Sequence, residues 1–187
     1  MTLPLVVGIS GASGVVYAIE LLRALRRLDQ PSHLIVSEMA ARTLAIETDV
    51  DLDELRALAD VVHANKDLAA SVSSGSFRTR GMVVVPCSVK TLSGIANGFS
   101  TNLLIRAADV TLKERRPLVL VFRETPLHTG HLRLMLQAAE TGAVILPPLP
   151  AFYNRPRTID DIVLQTVGRT LDALGIEHDL IERWSGC

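Results

Sequence analysis

A cation and a carboxylate stand side by side at the end of one apolar run, Arg123 and Glu124. A carboxylate placed there can carry a proton, with Arg123 holding it or a phosphate. The plainer alternative is a local ion pair at a strand end. Glu47, in Ile-Glu-Thr-Asp, falls at a predicted helix end, where its charge opposes the helix dipole. That unfavourable placement points to another role. The turn Gly8-Ile-Ser-Gly-Ala-Ser-Gly14 brings small residues that let a ligand approach the backbone, just before a predicted helix with free N–H groups. Its spacing, G-x-x-G-x-x-G, is not the dinucleotide fingerprint G-x-G-x-x-G, so a mononucleotide is expected rather than NAD. A plain tight turn is the alternative.

Seven positions separate Arg106 and Lys113 on a predicted helix. Two turns put them on one face, about 10 Å apart along the axis. They read as a phosphate-binding pair or as a solvated basic edge. His128 and His131 form H-x-x-H without a carboxylate or thiolate at matching spacing, so no metal site is expected. Cys87 follows an apolar run and reads as a small buried residue, with no histidine placed to activate it.

These residues need a scaffold. The chain has 187 residues, 48% hydrophobic and 21% charged, enough for one globular domain, 1–187, with a real core. A net charge of -1 excludes a general nucleic-acid field. No apolar run is long enough for a membrane span, and the N-terminus lacks the features of a signal peptide. Two cysteines, Cys87 and Cys187, suit a reducing compartment, so a cytoplasmic protein is expected.

Periodicity predicts strands at 3–9, 33–36, 82–85, 118–122 and 143–146, the third closed by Pro86. It predicts helices at 15–28, 38–47, 53–64, 91–96, 102–114 and 130–141, and a last one opened by Thr158 and stopped by Gly175. Residues 71–81 read as a small, polar loop that is mobile at the surface or functional. The β–α alternation gives an α/β fold: a doubly wound, mainly parallel, Rossmann- or flavodoxin-like sheet. Ligands bind such sheets beyond the strand C-terminal ends. Those ends carry Ser10, Gly11, Ser13 and Gly14, then Ser37, then Cys87, Ser88, Lys90 and Thr91, then Arg123 and Glu124, and last Tyr153. Hydroxyls, cations and a carboxylate on one edge suit a ligand with a phosphate and a polar ring.

Several motifs together resemble one family. They are the Gly8–Gly14 turn with Tyr17, Glu47-Thr-Asp49, Pro86-Cys-Ser-Val-Lys-Thr-Leu92, the run from Arg106 to Pro117, Arg123-Glu-Thr-Pro126, Gly142-Ala-Val-Ile-Leu-Pro-Pro148 and Ala151-Phe-Tyr153. The chain is similar along nearly its whole length, from Leu5 to Trp184, to the UbiX-type flavin prenyltransferases, long labelled aromatic acid decarboxylases. The resemblance implies transfer of a dimethylallyl group from dimethylallyl phosphate to N5 and then C6 of reduced FMN. The prenylated FMN then serves a separate UbiD-type decarboxylase, in ubiquinone synthesis or in aromatic acid breakdown.

By the same resemblance Gly11, Ala12, Ser13, Ser37, Ser88, Val89, Lys90, Thr91 and Arg123 hold FMN. Lys113, Arg123, Tyr153 and Arg169 bind the phosphate of the prenyl donor, and Arg106 helps. Glu47 lies near the reacting atoms, and Ser13 and Glu124 handle protons. No metal is required. The family forms large homo-oligomers, dodecamers among them, with sites between subunits. Val89 and Phe122 depart from the residues common at those positions, without removing a functional group. The sequence ends three residues after Trp184, which puts in doubt any tail contact seen in relatives. Two rival readings are an FMN-dependent or non-oxidative decarboxylase acting itself on aromatic acids, and a non-enzymatic flavin carrier.

Overall fold

The computed structural model describes residues 2–184 and 186. A single sheet of six parallel strands runs through it, in the order β3-β2-β1-β4-β5-β6. The strands are β1 (Leu5–Ile9), β2 (Ser32–Val36), β3 (Val61–Ala64), β4 (Gly81–Cys87), β5 (Leu118–Phe122) and β6 (Ala143–Ile145). β1, β4 and β5 are buried at every position. That explains why they read as continuous Val/Leu/Ile runs rather than alternating ones.

Helices cover both faces. On one side lie α1 (Val15–Arg27), α2 (Glu38–Glu47), α3 (Leu52–Ala57) and α7 (Ile159–Ala173). On the other lie α4 (Val89–Ala96), α5 (Leu103–Lys113) and α6 (Thr129–Glu140). The face of α1 expected from periodicity, Val15, Ile19, Leu22 and Leu25, is buried against the sheet. Each such leucine contributes roughly 2 kcal/mol of transfer free energy. α7 begins with a capping box: Thr158 accepts from the Asp161 N–H, and the Asp161 carboxylate accepts from the Thr158 N–H. It ends before Gly175 at φ 64°.

Three sequence expectations change. The helix expected over 53–64 ends at Ala57, and Val61–Ala64 forms the edge strand β3 beside β2. The β-branched pair Val61–Val62 favours that pairing over helix. Pro86 lies inside β4 rather than closing it, because a register irregularity between Val84 and Cys87 takes the residue without an N–H. Residues 71–81 are tied down. Arg116 donates to the carbonyls of Gly75 and Phe77, each at 2.8 Å, and Val72 is buried.

Candidate active site

The site grows from a junction at Ser10. Its N–H and hydroxyl both donate to the Pro86 carbonyl, at 3.2 and 2.9 Å. Its oxygen accepts from the Ser88 N–H at 2.8 Å. Ser10 thereby locks the C-terminal ends of β1 and β4 together, where the strand order reverses and ligands bind in open α/β sheets. This buried hydroxyl builds the site and is not free to bind.

Two helices start beside that junction. Ser37 caps α2 by accepting from the Ala40 N–H at 3.1 Å, and Ser88 caps α4 by accepting from the Thr91 N–H at 3.3 Å. The N–H groups of Glu38, Met39, Val89 and Lys90, and those of Gly11 and Ser13 in the first turn, find no acceptor among the described residues. Gly11 is required for the approach: a Cβ there would sit 2.4 Å from the Met39 Cβ, so only glycine lets the turn lie against α2. Ala12 differs from its neighbours, since its N–H is already given to the Ser10 carbonyl.

A cavity of about 1020 Å³ opens over these donors. Gly11, Ser37, Ser88, Val89, Lys90 and Thr91 form one side, and Glu124 stands on its rim. Two positive helix ends and a set of free N–H groups suit a ligand with an anionic group and ring carbonyls. FMN, with its phosphate and the carbonyls of its ring, fits that donor set. A candidate group for metal among His, Cys, Asp and Glu is absent from the described residues.

A second cavity, about 540 Å³, shares the Glu124 rim. Ser13, Tyr17, Glu47 and Arg123 supply its polar wall, and Leu149, Ile159 and Val163 its apolar one. Glu47 reaches across from the end of α2 to accept from the N–H groups of Gly14 and Val15, at 2.9 and 3.1 Å. Burial works to raise its pKa, but these bonds, one from Ser13 and the Arg123 charge outweigh it and hold the carboxyl below its usual value. Gly14 is the left-handed N-cap of α1, φ 100°, which frees that turn to meet Glu47. Burial pushes the Tyr17 phenol up, partly opposed by Arg123 and by a bond with Thr166. The expected Arg123–Glu124 pairing takes another form. Glu124 accepts from the Thr125 N–H at 2.9 Å, while the Arg123 charge acts on Glu47 and Tyr17.

The other expected phosphate ligands lie apart from both cavities in the single chain. Arg106 pairs with Asp109 at 2.8 Å and donates to the Ser73 carbonyl, and Lys113 pairs with Glu114. Tyr153 precedes α7 and meets Gln165, and Arg169 lies on α7 and pairs with Asp172 at 3.0 Å. Cys87 is fully buried and its thiol is pushed well up by burial. Cys187 lies outside the described residues. His128 and His131 stack with ring centroids 3.6 Å apart, and His128 caps α6. Tyr17, quoted only as part of a motif, turns out to line the second cavity; its place one turn after Gly14 was the available signal.

Comparison with known proteins agrees with this geometry. The flavoprotein family model matches residues 2–169. The flavin prenyltransferase UbiX of Escherichia coli K12 is 60% identical over 185 residues, 97% of this chain and 98% of the relative. The UbiX of Thauera aromatica is 59% identical, covering 97% and 94%. The crystal structure of AnUbiX with FMN and dimethylallyl pyrophosphate superposes with a TM-score of 0.98 at 51% identity, each chain covered in full. A dodecameric FMN-dependent UbiX-like decarboxylase from Escherichia coli O157:H7 gives 0.95 at 50% identity, over 98% of this chain and 100% of that one. By sequence and fold, then, the chain belongs to the flavoprotein family and, within it, to the UbiX flavin prenyltransferases.

Proposed function

We propose that this chain transfers a dimethylallyl group from dimethylallyl phosphate to N5 and C6 of reduced FMN, releasing prenylated FMN for a UbiD-type decarboxylase. The observation that carries this reading is the pair of cavities meeting at Glu124, one rich in donors and one part apolar. The first suits the flavin and the second an isoprenyl chain. The close UbiX relatives, and the AnUbiX complex with FMN and dimethylallyl pyrophosphate, support it.

The chemistry assigns roles to this chain's residues. Gly11, Ser13, Ser37 and the turn at 88–91 hold and orient FMN, with Arg123 at the junction. Ala12 packs there without a free N–H to offer. When the allylic C–O bond breaks, its electron pair leaves with phosphate, and Arg123 with Lys113, Arg169, Arg106 and Tyr153 stabilises the growing charge. N5 supplies the pair for the new C–N bond and gives up its own proton, which leaves with the phosphate. Closing the ring then adds a proton to the alkene as C6 loses one, and Glu124 with Ser13 manages these transfers. Glu47 sits on the same wall, where a carboxylate favours positive charge on the allylic carbon. No step calls for a metal.

Arg106, Lys113, Tyr153 and Arg169 come to this site from neighbouring copies in a homo-oligomer, dodecameric as in the UbiX-like relative. Leu149, Phe152 and Ile159, 75%, 68% and 78% exposed in the single chain, support covering of this rim by another copy. Among the described residues no helix is long and apolar enough to cross a membrane. We place the enzyme in the cytoplasm, as one domain over 1–187.

Mass spectrometry after anaerobic incubation with reduced FMN and dimethylallyl phosphate tests the reading. The expected product is prenylated FMN, and recovery of unmodified FMN alone would sink it. One relative carries the name decarboxylase, which keeps the rival reading open to the same preparation. Release of carbon dioxide from cinnamate- or 4-hydroxybenzoate-type acids, without a second protein, would favour that rival.

A further inference from the structure

Gln165 is a polar residue at a core position of α7. It is 4% exposed although it lies on the opposite side of the helix from the core residues Val163 and Val167. A buried amide must find partners, or its desolvation is uncompensated. Gln165 finds two, next to each other in the Pro-rich segment before the helix. Its Nε2 donates to the Tyr153 phenol oxygen at 2.9 Å, and its Oε1 accepts from Asn154 Nδ2 at 3.3 Å.

The arrangement fixes an otherwise exposed group. Tyr153 is 51% exposed and its ring meets Trp184 edge-on, centroids 5.8 Å apart. One end of the phenol is therefore anchored from inside the protein while the ring faces outward. Because Gln165 donates to the phenol oxygen, the phenol's own proton points elsewhere. Accepting one hydrogen bond also polarises the O–H and makes it a better donor for the next.

We infer that Gln165 is a positioning residue for the transfer reaction: it sets the Tyr153 oxygen in place and reserves the phenol proton for the departing phosphate. This rests on the reading of Tyr153 as a ligand of the donor phosphate. Gln165 touches neither substrate and acts through Tyr153.

The test uses the full chain with reduced FMN and dimethylallyl phosphate under anaerobic conditions, in a double-mutant cycle. Gln165→Met should lower kcat by about tenfold, less than the roughly 10²-fold or more that losing a proton donor itself costs, because the phenol remains. Tyr153→Phe should lower it at least as much, and the double variant should be no slower than Tyr153→Phe. An equal loss from Gln165→Met in both backgrounds would show that the amide acts through the fold, overturning the inference. So would an unchanged kcat in Gln165→Met beside a slowed Tyr153→Phe. A Tyr153→Phe enzyme with wild-type kcat would remove Tyr153 from the reaction and this inference with it, while product formation itself stands. Should Gln165→Met fail to fold, Gln165→Glu decides. Its ionised carboxylate accepts the hydrogen bond of the phenol O–H and draws it away from the phosphate, so its rate should recover as pH falls and the acid becomes a donor. A pH-independent loss overturns the proposal.

Discussion

Glu47 and Gly14, 33 positions apart, are joined by a 2.9 Å hydrogen bond from the Gly14 N–H to the Glu47 carboxylate. The acid that is misplaced at the C-terminus of its own helix is well placed at the N-terminus of α1. Glu47 therefore does two things: it caps α1 and it forms part of the polar wall of the second cavity.

Glu47→Ala should cost about 1 kcal/mol of stability, the usual loss when a helix cap is removed. Denaturant unfolding measures it. The sign with pH is set by the lowered pKa. The contribution of Glu47 is complete above the ordinary carboxyl value of 4.5 and is lost as pH falls through the lower folded-state value. The gap between wild type and Glu47→Ala should therefore close in acid, and a constant gap would contradict the capping role.

Glu124→Gln should bind FMN as wild type does, because the free N–H groups of Gly11, Ser13, Glu38, Met39, Val89 and Lys90 do not depend on the Glu124 charge. Prenylation should fall by about 10²- to 10⁴-fold, the range for a lost general acid–base. Flavin titration and product mass spectrometry separate the two effects. Wild-type product formation would take Glu124 out of the proton transfers.

The rings of His33 and His63 share a hydrogen bond, Nδ1 to Nε2, at 2.9 Å, which requires at least one neutral ring. Burial lowers both pKa values. For His33 the His63 ring lowers it further against Asp60, and for His63 Asp67 opposes the shift. The folded state thus binds protons less readily than the unfolded chain. Stability from this pair is full above the ordinary value of 6.5 and is lost as pH falls below it. Thermal unfolding from pH 8 to 5 should show that decline, and His63→Gln should flatten it.

Asp172 gathers Arg169, His178 and Arg183 at 3.0, 3.2 and 2.9 Å. Asp172→Asn should release the segment carrying His178 and Arg183 and destabilise the fold by about 1–3 kcal/mol, the range for a lost charged hydrogen-bond partner. Limited proteolysis near the C-terminus should become faster. It should also raise the KM for dimethylallyl phosphate, since Arg169 loses its anchor.

Much of the fold was legible because the central strands are buried on both faces and leave unbroken apolar runs, as in 118–122. Periodicity places the start of α4 at 91, past the Ser88 cap, whereas the start of α7 was legible from its Thr158 cap. β3 was not, because Val61 and Val62 are 39% and 42% exposed at a sheet edge and follow a helical segment without a strong break. Its identity comes from pairing with β2, a tertiary fact. The donor-lined wall of the larger cavity was legible because ligands collect at strand ends. The junction role of Ser10 was not, since a buried and a ligand-binding hydroxyl look alike in sequence. Nor was the place of Arg106, Lys113, Tyr153 and Arg169 outside both cavities, since their spacing in the sequence says nothing about which surface they share.

Glu124 stands on the rim of both cavities. An occupant of either side that engages this carboxylate changes what the other side meets. Linkage makes that influence equal in both directions. The acceptor and the donor are therefore not independent guests: the affinity of each depends on whether the other is already seated.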